Sequence, residues 1–281
     1  MQVKQFNTLF IEPLLFRFSS SMANHLGLRL LEHFTGISPN QYRAGKAFTI
    51  SPNQESEIRL AIQALIAGKP IQYITGTEYF YHLAFHVTPD VLIPRPETEE
   101  LTEMIIRYAK NSSGTLLDIG TGSGCIAITL QKYLKHFRVE AIDVSRKALA
   151  VAALNNSNHH TQVFFKQVDF LNEQESDRLG KYNIIVSNPP YIPITQCDKV
   201  DRTVRDYEPR IALFASDHQI FYKAIAQFAK KHLMPGGKIF LEAHQDYIEE
   251  TAELFRKNYA EVIVITDISG NKRMLEITQF H

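Results

Sequence analysis

The stretch Thr115-Leu116-Leu117-Asp118-Ile119-Gly120-Thr121-Gly122-Ser123-Gly124 decides the fold of this chain. Its first half is mostly apolar and predicts a buried strand. Its second half predicts a turn without obstructive side chains, ahead of a helix from Cys125 to Tyr133, and backbone can approach a ligand closely at such a turn. Strand, glycine turn and helix in this order predict an α/β domain with a parallel sheet.

The next predicted strand, Phe137 to Ile142, ends at Asp143, about 20 residues after the first glycine. A carboxylate at this place can accept hydrogen bonds from ribose hydroxyls, which indicates an adenosine-containing cofactor. A nicotinamide dinucleotide requires glycine where this chain has Cys125. Asp118 suits an amino group better than a pyrophosphate. We therefore expect S-adenosylmethionine as the cofactor, with the dinucleotide as the alternative.

A second motif follows the apolar run 182–186, which leads through Ser187 into Asn188-Pro189-Pro190-Tyr191. The strand must end there, because neither proline can donate a ladder hydrogen bond. The Asn188 oxygen and the Pro189 carbonyl could accept both hydrogens of a planar NH2 group, with Tyr191 packed on that group. Such a site orients and polarises a weak nucleophile, as transfer to nitrogen requires. An Asn-Pro dipeptide by itself would favour the alternative, a plain turn.

Strand and helix patterns alternate through the rest of the chain. Asp169 and Phe170 follow a strand, where a carboxylate and a ring could meet adenine, although Phe170 could equally belong to the core. Ile192 to Asp206 is polar, and we expect an irregular lid or substrate wall there. The remaining strands are predicted at 163–166, 238–243, 261–266 and 273–278, the last two as an antiparallel hairpin.

The first part of the chain differs from the rest. Helical periodicity over residues 6–67 predicts three or four amphipathic helices, with Ser38 and Ser51 as N-caps ahead of proline. Residues 77–87 predict a hairpin, and a proline-stiffened loop leads into a helix that starts at Pro96. We therefore predict a helical domain at 1–75, a hairpin and loop linker at 76–95, and the α/β domain at 96–281.

Composition limits the partners of this 281-residue chain. Thirty basic and thirty acidic side chains give zero formal charge, so no global field draws the protein to nucleic acid or to an anionic membrane. No run is long and apolar enough to predict a membrane span. Cys125 and Cys197 lack paired spacing, which favours a reducing, cytoplasmic setting. His82 and His86 lie on a predicted strand without a third ligand, so we expect no metal.

These motifs together resemble the PrmC (HemK) family of peptide chain release factor glutamine methyltransferases, over nearly the whole chain. The catalytic turn alone is shared with adenine and guanine exocyclic-amine methyltransferases, so the neighbouring segments add specificity. Phe170 departs from the pattern, because relatives often carry Trp there, but a ring is kept. The segments that carry the resemblance are Leu92 to Glu99, Gly120 to Gly124, Asp143, Asp169-Phe170, Asn188 to Tyr191, Tyr207 to Pro209 and Asp267 to Arg273.

The resemblance implies a Rossmann-like, seven-stranded methyltransferase domain that uses S-adenosylmethionine, and a small N-terminal helical bundle that recognises the substrate. It implies methylation of the side-chain amide nitrogen of the glutamine in the Gly-Gly-Gln motif of class 1 release factors. Alternatives are a glutamine methyltransferase for a large-subunit ribosomal protein, a nucleic-acid amino-group methyltransferase and a binding module without turnover. The implied catalytic residues are Asn188, Pro189, Pro190 and Tyr191, and the implied cofactor-binding residues are Gly120, Thr121, Gly122, Ser123, Gly124, Asp143, Asp169, Phe170 and Asn188.

Overall fold

The structure, a computed structural model, describes residues 1–45, 47–259 and 261–278. It divides into two compact units, Met1–Gly76 and a second unit that begins at Thr77. No helix within these ranges is long and apolar enough to cross a bilayer.

The first unit is helical, as expected. Ser38 and Ser51 are the N-caps of two helices, and each side-chain oxygen accepts from the backbone of the third helical residue, so both predicted starts are confirmed. A core of large apolar side chains, among them Phe6, Phe10 and Leu30, lies between the helices. The helices are α1 Val3–Phe6, a π-helix Asn7–Ile11, a 3-10 helix Glu12–Phe16, α2 Ser20–Thr35, α3 Pro39–Arg43, α4 Pro52–Ala67 and α5 Ile71–Thr75.

The second unit begins with the predicted hairpin, in which β1 (Thr77–Phe80) pairs antiparallel with β2 (Leu83–His86). Its Phe80 and Phe85 are fully buried in a core of this unit. The Asn155 side chain accepts from the backbone N–H of His86 at 2.7 Å and donates to its carbonyl at 2.9 Å. The hairpin is therefore fixed to the α/β body on both its apolar and its polar side.

The body of the second unit is a seven-stranded sheet with the order β10-β11-β9-β6-β3-β4-β5. Adjacent pairs are parallel except those that β11 makes, which are antiparallel. The predicted α/β fold and its final hairpin are thus confirmed. The strands are β3 Gly114–Ile119, β4 Phe137–Asp143, β5 Phe164–Gln167, β6 Tyr182–Ser187, β7 Ile192–Pro193, β8 Phe214–Ala215, β9 Leu233–Glu242, β10 Glu261–Thr266 and β11 Lys272–Thr278, with β7 and β8 forming a separate parallel pair.

Both faces of the sheet are covered by helices, because successive residues of each buried strand point to opposite sides. On β3, Leu116 belongs to one apolar cluster and Leu117 to the other. Ile184 and Ile185 of β6 divide in the same way. The helices are α6 Pro96–Ala109, α7 Cys125–Tyr133, α8 Arg146–Asn158, α9 Glu173–Ser176, α10 Arg202–Tyr207, α11 Arg210–Leu213, α12 Ile220–His232 and α13 Ile248–Arg256.

Two local predictions were wrong. The segment 192–206 is not irregular, since it contains β7, a 3-10 helix Ile194–Lys199 and most of α10. Short-range hydrogen bonds, including a cap in which Asp201 accepts from the Thr203 N–H at 2.8 Å, organise a sequence without apolar periodicity. β9 begins at Leu233 rather than Lys238, because the strand passes through the Pro-Gly-Gly segment with a register shift against β6.

Candidate active site

The predicted site residues lie at the carboxyl ends of the central parallel strands. β3 and β6 are neighbours in the sheet although they are not successive in the chain. The chain winds outward in opposite directions from this pair, so the crevice beyond their ends is the switch point at which α/β sheets bind ligands. Gly120 follows β3 and Asn188 follows β6 directly, and both motifs therefore border the crevice.

The glycine turn after β3 leaves space beside its backbone. Gly120 and Gly122 have φ angles of +75° and +55°, which favour glycine. A Cβ built on either residue would meet no heavy atom within 4 Å. Gly124 differs, because a Cβ there would lie 2.8 Å from Cδ1 of Ile128. The first two glycines thus leave room for a ligand, and the third permits close packing around α7.

Asp143, at the end of β4, holds the glycine turn in place. Its Oδ2 accepts from the Gly122 N–H at 2.9 Å, and its Oδ1 accepts from the Ser145 N–H at 2.8 Å. Burial raises the pKa of this carboxyl, and the two N–H groups oppose that rise. A carboxylate has about four acceptor sites, so capacity remains for ligand hydroxyls.

Asp118, at the end of β3, is a buried acid with unused acceptor capacity. Its Oδ2 accepts from the Thr121 hydroxyl at 2.7 Å, whereas its buried Oδ1 has no hydrogen-bond partner. Burial raises the pKa of Asp118 to about 7, against the effect of the Thr121 hydrogen bond. An unpartnered buried carboxylate oxygen suits a cation, and the neighbouring Ile119 and Gly120 line the cavity described next.

A cavity of about 360 Å³ joins the ends of these strands. Its walls include Phe221 on α12 and Phe214 on β8, neither of which the sequence had indicated. Of the predicted cofactor-binding residues, Thr121, Ser123 and Gly124 do not line it. The predicted residues that the structure brings together here are Gly120, Gly122, Asp143, Asp169, Phe170, Asn188, Pro189 and Pro190.

Phe170 serves both the cavity and the core. The residue is only 7% exposed, and its ring meets that of Phe228 edge to face with centroids 5.3 Å apart. The two sequence-based alternatives for Phe170 are therefore not exclusive. Asp169 is exposed, and its Oδ1 accepts from the Leu171 N–H at 3.1 Å.

Tyr191 lines a second, smaller cavity of about 130 Å³, together with Arg95 and Val204. Asn188 and Pro189 line both cavities. Burial raises the pKa of the Tyr191 phenol, with a further contribution from the nearby negative charge of Glu242. The phenol therefore stays protonated at neutral pH, and the Asn-Pro step is the boundary between the two spaces.

Two buried residues, Thr98 and Glu242, fix the Asn188 side chain through hydrogen bonds. Asn188 Nδ2 donates to Thr98 Oγ1 at 3.0 Å, and the Thr98 hydroxyl donates to Glu242 Oε2 at 2.6 Å. Because the amide nitrogen is used in this way, the carboxamide oxygen remains for other partners. Burial raises the pKa of Glu242 to about 7, opposed first by the Thr98 hydrogen bond and then by the positive charge of Arg273.

Another buried acid anchors the proline-stiffened loop. Glu208, 4% exposed, forms an ion pair with the Arg95 guanidinium and accepts from the Ile93 N–H at 3.2 Å. The loop and the Tyr207-Glu208-Pro209 segment, two separate motifs in the sequence, thus contact each other. Thr98, Glu208 and Glu242 were missed as site residues. For Glu242 a signal existed, since an acid inside the apolar run 239–243 requires a reason to be buried.

Comparisons with known proteins show which families this chain resembles. Residues 97–204 match the family model described as Methyltransferase small domain, and residues 23–76 match the PrmC N-terminal domain. A release factor glutamine methyltransferase of Bacteroides thetaiotaomicron is 40% identical, over 85% of this chain and 87% of its own. One of Flavobacterium psychrophilum is 36% identical over 99% of both chains.

Solved structures support the fold. A methyltransferase from Pyrococcus furiosus has a TM-score of 0.51 at 18% identity and covers 82% of this chain and 100% of its own. The Thermus thermophilus 16S rRNA N2 G1207 methyltransferase, solved with AdoMet and guanosine, has a TM-score of 0.51 at 15% identity and covers 73% of this chain and 50% of its own. At these identities the likeness is one of architecture.

Proposed function

We propose how this site works from one premise: the chain belongs to the family of release factor glutamine methyltransferases. It is an enzyme that methylates a glutamine of a release factor and uses S-adenosylmethionine as the methyl donor. The substrate detail and the roles of individual residues are our proposal.

The substrate that we propose is the glutamine of the Gly-Gly-Gln motif of class 1 peptide chain release factors, methylated on its side-chain amide nitrogen. The small cavity beside Asn188 suits one planar side chain rather than a folded surface. Zero formal net charge supports a protein partner without direct contact to nucleic acid or membrane. We propose that the reaction takes place in the cytoplasm, where release factors act.

For the donor, we propose the larger cavity. Gly120 and Gly122 leave the space that it would fill, Asp143 would accept from its ribose hydroxyls, and Phe170 would pack on adenine. The unpartnered Asp118 oxygen would meet its ammonium group. When bound, the donor supplies an electrophilic methyl group on a positively charged sulfur.

One observation carries the acceptor side of the proposal: Asn188 and Pro189 stand between the two cavities, and Thr98 occupies only the nitrogen of Asn188. The Asn188 oxygen and the Pro189 carbonyl would accept both N–H groups of the substrate amide, which turns its lone pair toward the larger cavity. When this nitrogen accepts the methyl group, positive charge would develop on it. The two oxygens would stabilise this charge until the nitrogen releases one proton to water.

Mass spectrometry of the Gly-Gly-Gln peptide tests this proposal, after intact release factor is incubated with enzyme and isotopically labelled donor. We expect one labelled methyl group on glutamine. Asn188→Ala should lower single-turnover methylation by about 100-fold or more, because an acceptor for the developing charge is lost. Asn258→Ala, at an exposed asparagine outside both cavities, is the matched control. A label on a ribosomal protein or on nucleic acid, or full activity of Asn188→Ala, would contradict the proposal.

For the helical unit we propose substrate recognition. The catalytic turn would hold any planar NH2 group, so selection must come from contacts elsewhere on the protein. Since the compact division falls between Gly76 and Thr77, an enzyme that starts at Thr77 should keep its affinity for the donor. Its kcat/KM should fall far more for intact release factor than for a short Gly-Gly-Gln peptide. An equal loss for both substrates would show that the unit is only a scaffold.

A further inference from the structure

We propose that Glu242, acting through Thr98, is a positioning residue that determines which end of the Asn188 carboxamide faces the substrate. The inference rests on the proposed function, because it concerns the amide acceptor of that reaction. The three side chains come from three elements: the end of β9, the first turn of α6 and the residue after β6. They were not connected by any pattern in the sequence.

The sheet places Asn188 and Glu242, the two ends of this series of hydrogen bonds, side by side. β6 and β9 are adjacent and parallel, and Ser187 is paired with Leu241. The residues that follow this pair are Asn188, directly after the end of β6, and Glu242, the last residue of β9. Thr98, 3% exposed, lies between them, and its hydroxyl contacts both side chains, at 3.0 Å and 2.6 Å.

The direction of the hydrogen bonds from Asn188 through Thr98 to Glu242 follows from the number of hydrogens that each group carries. A hydroxyl has one hydrogen, and an ionised carboxylate can only accept. With Glu242 ionised, Thr98 gives its hydrogen to the carboxylate and presents only a lone pair to Asn188. That lone pair can pair with the NH2 end alone. The Thr98 hydroxyl thereby distinguishes the NH2 end of the Asn188 carboxamide from its oxygen, although the two have nearly the same shape. The Asn188 oxygen is directed to the substrate.

Protonation of Glu242 would reverse the orientation of the Asn188 carboxamide. A carboxylic acid can donate to Thr98, which frees the Thr98 hydrogen to pair with the Asn188 oxygen. The NH2 end of Asn188 would then face the substrate amide, donor against donor. An acceptor site for two N–H groups would lose one of its two acceptors.

The surroundings of Glu242 place this change within reach of ordinary pH. Burial raises the pKa of Glu242 to about 7, whereas the Thr98 hydrogen bond and the nearby cations lower it. Asp267 holds one of those cations, the Arg273 guanidinium, at 2.9 Å. The Tyr222 hydroxyl donates to the backbone carbonyl of Glu242 at 2.9 Å. The charged and titratable groups that act on this carboxyl are Arg273 on β11, Arg95 in the loop, Glu97 on α6, Tyr191 after β6 and Tyr222 on α12.

Four variants test the inference on intact enzyme with release factor and saturating donor. Thr98→Val removes the hydroxyl at nearly constant shape, and we expect kcat to fall by about 10- to 100-fold with little change in KM. Thr98→Ser should restore most of the activity. Glu242→Gln should remove the rise of kcat with pH through about 7 that we expect in the wild type. Thr102→Val is the matched control, because this hydroxyl is also buried on α6 and donates within the helix, to the Thr98 carbonyl at 3.0 Å.

The outcomes separate the positioning role from a structural one. Calorimetry of donor binding identifies folded variants, and the pH profile of Glu242→Gln keeps the test decisive if Thr98→Val does not fold. Wild-type kcat in Thr98→Val, an equal loss in Thr102→Val, a Thr98→Ser variant without activity, or an unchanged pH profile in Glu242→Gln would overturn the inference while the proposed function stands. Failure of the wild type to methylate release factor would overturn the proposed function, and this inference with it.

Discussion

Replacing Asp143 with alanine tests the cofactor site most directly. The carboxylate accepts from the Gly122 and Ser145 N–H groups at 2.9 Å and 2.8 Å and also lines the larger cavity. A hydrogen bond contributes about 1 kcal/mol between neutral groups and up to about 3 kcal/mol where one of the groups is charged. Loss of the proposed ribose contact should therefore weaken donor binding by roughly 1–3 kcal/mol, or about 5- to 150-fold in Kd.

Calorimetry with S-adenosylmethionine measures this Kd, but a loosened glycine turn would also raise it. A thermodynamic cycle separates the two causes, using S-adenosylhomocysteine and an analogue without ribose hydroxyls. If Asp143 binds the ribose, the penalty for removing the hydroxyls should largely disappear in Asp143→Ala. Asp177→Ala, at an exposed carboxylate paired with Lys231 at 2.8 Å, is the control. An unchanged Kd, or an unchanged hydroxyl penalty, would show that Asp143 only clamps the turn.

Two further predictions concern the same turn. Burial raises the pKa of Asp118 to about 7, so the group is neutral below that pH; because the ammonium of the donor favours the ionised form, Kd should increase as pH falls from about 7 to 5. Asp118→Asn should make the Kd measured by calorimetry independent of pH, and a persistent slope would assign the effect to another group. Gly124→Ala should lower the free energy of unfolding by roughly 1–3 kcal/mol, because φ is +80° and the new Cβ would lie 2.8 Å from Ile128 Cδ1. Urea unfolding measures that loss, and wild-type stability would refute the packing role.

Local patterns predicted the α/β class of the second unit and its central strands. Alternation of apolar runs with helical periods predicted the central strands, because a parallel sheet buried on both faces needs continuous apolar strands. Asp143 and Asn188 were predicted as site residues because a polar residue at the carboxyl end of a buried strand lies at the ligand edge of the sheet, and both line the larger cavity. The prediction for segment 192–206 was wrong because its helices and short strand are stabilised by caps and short-range hydrogen bonds, which require no hydrophobic periodicity in the sequence.

The relation between Asn188 and Glu242 could not be predicted in this way, because it depends on strand order rather than on strand existence. Thr98 is separated in sequence from Asn188 by 90 residues and from Glu242 by 144 residues. The donor to Glu242 is Thr98 on α6, and the adjacency of β6 and β9 brings Asn188 to the same hydroxyl. The position of Glu242 inside an apolar run therefore carries information of its own, because a buried acid requires a buried donor. The same requirement applies to Glu208, whose partner Arg95 lies in the proline-stiffened loop, for which local patterns predicted no contact.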